Sequence, residues 1–181
     1  LSRNPAFEPT RLRGDEYAEL AQASRNRMLA NALVAAFVAS VFAPLIGLVI
    51  VVPWAGLLSL ILYKSRQTDL LLVDTGQRIA PSALERSQNI NSIASAACWV
   101  AALLVFPTMA DGAQATTMLL VALVLMMAST FVFSTSPLSV LIYIGILGLG
   151  AVVSLALQGE WQAMGGAILF TASTAARMRA G

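Results

Sequence analysis

"MLANALVAAFVASVFAPLIGLVIVVPWAGLLSLIL", Met28 to Leu62, runs for about 35 residues without a charged side chain. A bilayer core about 30 Å thick is crossed by about 20 helical residues, so this run is too long for one straight helix and suits two short ones. The rest of the chain is built alike. Of its 181 residues 58% are hydrophobic and 11% charged, and the mean hydropathy is +0.78, well above the range of soluble domains. Composition therefore predicts an all-α, polytopic membrane helix bundle.

Breaks in the apolar runs divide the chain. In the first run the break is expected between Ala43 and Pro53, because Pro44, Gly47 and Pro53 oppose a continuous helix. Six transmembrane helices follow, at about 28–42, 54–72, 90–106, 113–133, 138–157 and 161–176. "ADGAQ", "STSP" and "QGE" separate the last four. Residues 1–27 form an arm, 73–89 a loop and 177–181 the start of a tail.

All eleven Lys and Arg fall before Met28, between Lys64 and Arg86, or at Arg177 and Arg179. Six spans put all three places on one side and leave Asp111 and Glu160 on the other. By the positive-inside rule both termini are then cytoplasmic.

The loop region, "YKSRQTDLLLVDTGQRIAPSALERSQNIN", Tyr63 to Asn91, holds seven charges. Its arginines serve either as anchors that snorkel to headgroups or as a cytoplasmic contact surface, with Arg66, Arg78, Glu85 and Arg86 the candidates. Ser82 and Glu85 fit a capping box for a helix continuing into the third span. In the arm, "GDEYAELAQASRNRMLANAL" places acids before bases, as the helix dipole favours, and predicts a helix running into the first span. No apolar core of a cleavable signal peptide stands in the first 20 residues.

The chain has no histidine and one cysteine. That leaves no His-ligated metal or haem, no Ser-His pair and no intrachain disulfide. No catalytic constellation, cofactor or nucleic-acid contact is expected, and no charge lies in the middle of a predicted span. The intramembrane polar residues Asn31, Asn89, Asn91, Ser92, Ser95, Thr116 and Thr117 can hydrogen-bond between helices, and small residues such as Ala32, Ala36, Gly145, Gly148, Gly165 and Gly166 can let helices approach. Trp54, Phe106 and Trp161 fall near the predicted outer boundary and Tyr63 near the inner one, where aromatic rings anchor. Trp99, beside Cys98, packs against a neighbouring helix or, with Cys98 and Asn31, lines an intramembrane cavity for an apolar ligand.

The order of features resembles the N-terminal membrane modules of bacterial sensor histidine kinases and diguanylate cyclases. "RNRMLANALVAAFVAS", "VPWAGLLSLILYKSR", "ALERSQNINSIASAACWVAALLVFP" and "STSPLSVLIYIGILGLGAVVSLALQGEWQAMGGAIL" carry the likeness, as a pattern of hairpins and boundary residues over nearly the whole chain. The resemblance implies a signal-input module of the bacterial inner membrane, often a homodimer, that relays a change in helix arrangement to an output domain beyond "ARMRAG". Ala172, Ala176, Arg177 and Arg179 would then lie on the relay. No kinase, cyclase or phosphodiesterase motif occurs in these residues, and the start at Leu1 fits a fragment of a longer protein. A structural subunit packed against a larger membrane-protein partner is the second reading, and a neutral-solute channel or carrier the third.

Overall fold

In the computed structural model, which describes residues 14–74, 81–110, 112–132 and 137–180, the first apolar run folds into two helices that meet at one glycine. α1 spans Gly14–Ile46 and α2 spans Leu48–Asp74. Gly47 between them has φ +86°, a conformation that a Cβ penalises. Its N–H donates to the Ala43 carbonyl, and its own carbonyl accepts from Ile50 and Val51. One residue thus ends one helix and begins the next.

The predicted break of about ten residues shrinks accordingly. Pro44 and Pro53 lie inside α1 and α2, so the helices expected at 28–42 and 54–72 extend across both prolines. A bilayer penalises irregular backbone facing lipid more than it penalises a proline inside a helix, and the chain turns only where the backbone conformation demands glycine.

α3 spans Pro81–Val105, followed by a 3-10 turn at Phe106–Met109; α4 is Gly112–Val132, α5 Pro137–Gln158 and α6 Trp161–Ala180. α1 begins in the arm, and α3 begins in the loop with proline at its first position, where no helical hydrogen bond is lost. The side chains of Ser82 and Glu85 lie outside the described residues. Gly159, with φ +75°, makes the tight turn from α5 to α6. No strand occurs among the described residues.

Five helices, α1 to α5, are long and apolar enough to cross a membrane, the architecture of a multi-pass membrane protein. α6 is not among them. Its 20 residues reach about 30 Å at 1.5 Å each, but Gln162, two glycines, a serine and two threonines dilute its apolar content. The six expected spans therefore become five plus one helix of sufficient length and lower hydropathy.

Five helices close into a ring: α1 beside α2, α2 beside α3, α3 beside α5, α5 beside α4, and α4 back against α1. α6 packs on α5 outside it. The most extensive interface joins α3 and α5, which run parallel, since Asn89 faces Ser139, Val100 faces Gly150 and Leu103 faces Ser154. A Cβ on Gly150 would sit 2.5 Å from a Val100 methyl, and one on Gly148 would sit 2.5 Å from the Thr171 side chain. α5 thus spends one glycine on α3 and another on α6. Gly145, Gly165 and Gly166 face open space, and Ala32 and Ala36 are exposed.

The core is aromatic where α1, α2 and α3 meet. Trp54 stands edge-on to Trp99 and to Phe106, both with centroids 5.2 Å away, and Phe42 lies 5.4 Å from Phe106. Trp54 and Phe106 are therefore core residues and not boundary anchors. The Trp54 indole tolerates burial because its N–H donates to the Cys98 carbonyl at 3.0 Å. Trp161 and Tyr63 remain exposed.

Two measurements test this packing. Gly150→Ala is expected to lower stability by about 1–3 kcal/mol in a detergent unfolding assay, and Val100→Ala in the same chain to recover most of the loss. In a Cys98→Ala background, cysteines at Arg86 and Arg177 are expected to react with an impermeant maleimide from the same membrane side; labelling from opposite sides would show that α6 does not cross.

Candidate functional site

The hairpin that turns at Gly47 brings residues about equally far from it side by side. Arg27 of α1 meets Asp69 of α2, with Nη2 2.6 Å from Oδ2. The same Arg27 nitrogen donates to Ser65 Oγ at 2.7 Å, and Ser24 donates to the same Asp69 oxygen at 2.7 Å. Both ion-pair side chains are largely covered, 13% and 10% exposed. An ionisable pair covered to this degree is costly and needs such hydrogen bonds.

One turn further along α1, Asn31 donates to the Arg27 carbonyl at 3.0 Å and accepts the Trp99 indole N–H at 3.1 Å. The inward stripe of α3 explains this meeting. Gln88, Ser92, Ser95, Trp99 and Ala102 recur at alternating spacings of four and three residues, as one face of a helix requires; Phe106 continues the series at the start of the 3-10 turn, and all six are buried. The stripe is polar toward the Arg27 end and aromatic toward the other.

A small cavity lies where the polar half of that stripe faces α1 and α2. Arg27, Asn31 and Ser65 line one side, Asn91, Ser92 and Ser95 another and Tyr143 of α5 a third, with Ile61 and Leu62 completing the wall. About 10 Å³ is open to a water-sized sphere, room for about one water or a particle of similar size. Asn91 Nδ2 and Ser92 Oγ are buried and make no hydrogen bond within the protein. Buried polar atoms left so are uncommon, since desolvation costs about 1–3 kcal/mol each.

Of the three residues expected at an intramembrane cavity, Asn31 and Trp99 meet through a hydrogen bond. Trp99 is 1% exposed and its N–H is committed to Asn31, while buried Cys98 offers its carbonyl to Trp54. Asn31 alone of the three lines the polar cavity. Asn89 accepts from Ser139 across α3 and α5. Thr116 and Thr117, expected to bond between helices, donate instead to the Gly112 and Ala113 carbonyls of their own helix.

On α6, Ala172, Ala176 and Arg177 are exposed; the Arg179 side chain lies outside the described residues. Of the loop candidates, Arg66 reaches Met28 Sδ at 3.9 Å and Arg86 is exposed, whereas Arg78 and the Glu85 side chain lie outside the described residues. Sequence reading missed Ser24, Arg27, Ser65, Asp69 and Tyr143. The available signal was the near-symmetry of Arg27 and Asp69 about Gly47. No protein-family model, curated protein or solved structure matches the chain.

Arg27→Met leaves Asp69 without its countercharge and is expected to cost about 3 kcal/mol. Arg27→Met combined with Asp69→Leu is expected to recover most of that, as read by thermal unfolding in detergent. Equal losses in the single and double variants would show that the pair's charge balance is not what stabilises the hairpin.

Proposed function

We propose that the chain is the membrane-embedded signal-input module of a bacterial signalling protein of the cytoplasmic membrane, with α6 as the lever that hands a change in helix arrangement to a cytoplasmic output domain. The observation that carries this reading is the one-sided packing of α6. Ala167 is its one buried residue among those whose side chains are described. On the face held against the ring, Phe170 packs on the core and Thr171 sits against Gly148 of α5 and approaches Met126 Sδ at 3.9 Å. A helix held along one face shifts or rotates at less cost than one packed on all sides.

The outward face supports a dimer. Gly165, Leu169, Ala172 and Ala176 follow at spacings of four, three and four, and all are exposed. Such a seam, three small residues and a leucine, suits close approach by a second copy. Arg177 just beyond it fits a cytoplasmic end.

Disulfide trapping in native membranes tests this. In a Cys98→Ala chain, Ala172→Cys and Ala176→Cys are expected to give cross-linked dimers efficiently and Ser173→Cys, off the seam, at least several-fold less. Absence of dimers at all three positions, with the chain held singly in a larger assembly, would overturn the reading in favour of a structural subunit.

A further inference from the structure

We infer that the polar cavity among α1, α2, α3 and α5 is a binding site for one long-lived water, which bridges the polar stripe of α3 to the α1–α2 hairpin. The site rests on the fold alone and does not depend on α6 acting as a lever.

Two buried donors on α3 call for an acceptor. Asn91 Nδ2 can only donate, and the hydroxyl of Ser92 can donate. Both atoms are buried, both residues line the cavity, and neither atom finds a partner among the described residues. Ser92 is 4% exposed, so the partner it needs must sit inside the bundle.

The facing walls call for a donor. Asn31 Oδ1 accepts the Trp99 indole N–H and Ser65 Oγ accepts from Arg27, and an amide or hydroxyl oxygen keeps a second lone pair after one such bond. Both residues line the cavity. An occupant that satisfies all the walls therefore accepts from α3 and donates to α1 and α2. Water does both, and a buried water ordinarily makes about three hydrogen bonds. A monatomic ion does not.

Charge and size agree with a neutral occupant of one heavy atom. Arg27 is ion-paired with Asp69 and hydrogen-bonded to Ser65, which leaves no unbalanced charge in the wall for an ion to answer, and no carboxylate is among the described lining residues. About 10 Å³ open to a water-sized sphere is the space that one water needs. Such a bridge joins helices about as well as a direct hydrogen bond, and its departure would strand both donors, which gives the water a long residence.

The full chain, deuterated and labelled with nitrogen-15 in detergent micelles, provides the test. The side-chain amide of Asn91, assigned by its loss in Asn91→Leu, is expected to show a nuclear Overhauser effect to water of the sign given by a water that tumbles with the protein. Oxygen-17 relaxation dispersion counts such waters whatever their protons do. Asn91→Leu combined with Ser92→Val removes both donors and fills the space, and is expected to lower that count by one. No such effect at the wild-type Asn91 amide, or an equal count in the folded double variant, would overturn the proposal. So would an unfolding midpoint that rises saturably with sodium chloride and not with sodium gluconate, which would mark the occupant as an ion. Should the double variant not fold, the wild-type signal at Asn91 still decides.

Discussion

The close contact between α3 and α5 at Val100 and Gly150 is what the remaining helices depend on. Lipid offers no hydrophobic drive for helices to associate, so packing and interhelical hydrogen bonds must supply it. This pair has both. A methyl group fills the space that a Cβ would occupy on Gly150, and Ser139 and Ser154 of α5 donate to Asn89 and to the Leu103 carbonyl on either side. From α3 the aromatic cluster gathers α1 and α2; from α5, α4 and α6 are placed. α3 and α5 are not consecutive, and what lies between them, the 3-10 turn and α4, returns the chain to the starting end so that the two can run parallel.

The hairpin of α1 and α2 obeys a second constraint, that each buried polar group must find its partner within the protein. Gly47 fixes the register, and from that register follow Arg27 with Asp69, Ser24 with Asp69 and Arg27 with Ser65. Asn31 then links this group to Trp99, which also packs edge-on against Trp54. The polar and aromatic halves of the interior are therefore stacked along one axis and share a boundary at the Asn31–Trp99 bond. The cavity sits on the polar side of it, where serines and asparagines are too short to fill the space that Trp99 fills on the other side.

Much of the helical order was legible in the sequence. Runs of apolar residues longer than a bilayer core identify α1 to α5, and "QGE" marks the turn at Gly159. The helical arm and the helix leading into the third span were also read from charge order and capping pattern. Helix ends in the first hairpin were misjudged because rules for proline learned in water do not transfer to lipid. Trp54 and Phe106 were assigned to a boundary from their distance along the chain; lengthening α2 across Pro53 and ending α3 in a 3-10 turn moves both into the core. The candidate site was legible only in part. Asn31 and Trp99 stood out as odd residues in apolar helices, but their bond joins two helices that are not neighbours in sequence. Arg27 and Asp69 look like ordinary charges at helix ends until the hairpin register is known.

α5 carries the geometric relation between the cavity and α6. Tyr143 forms one wall of the cavity, and Gly148, five residues along the same helix, receives Thr171. That separation is about 7.5 Å of helix rise, too short for one end to move while the other stays fixed unless the helix bends. The contact at Gly148 has little tolerance, since even a methyl group there would overlap Thr171. On another flank of α5, Val100 makes an equally tight fit at Gly150. Two close contacts two residues apart, facing different neighbours, wedge α5 between α3 and α6, so that its packing on either side depends on glycine.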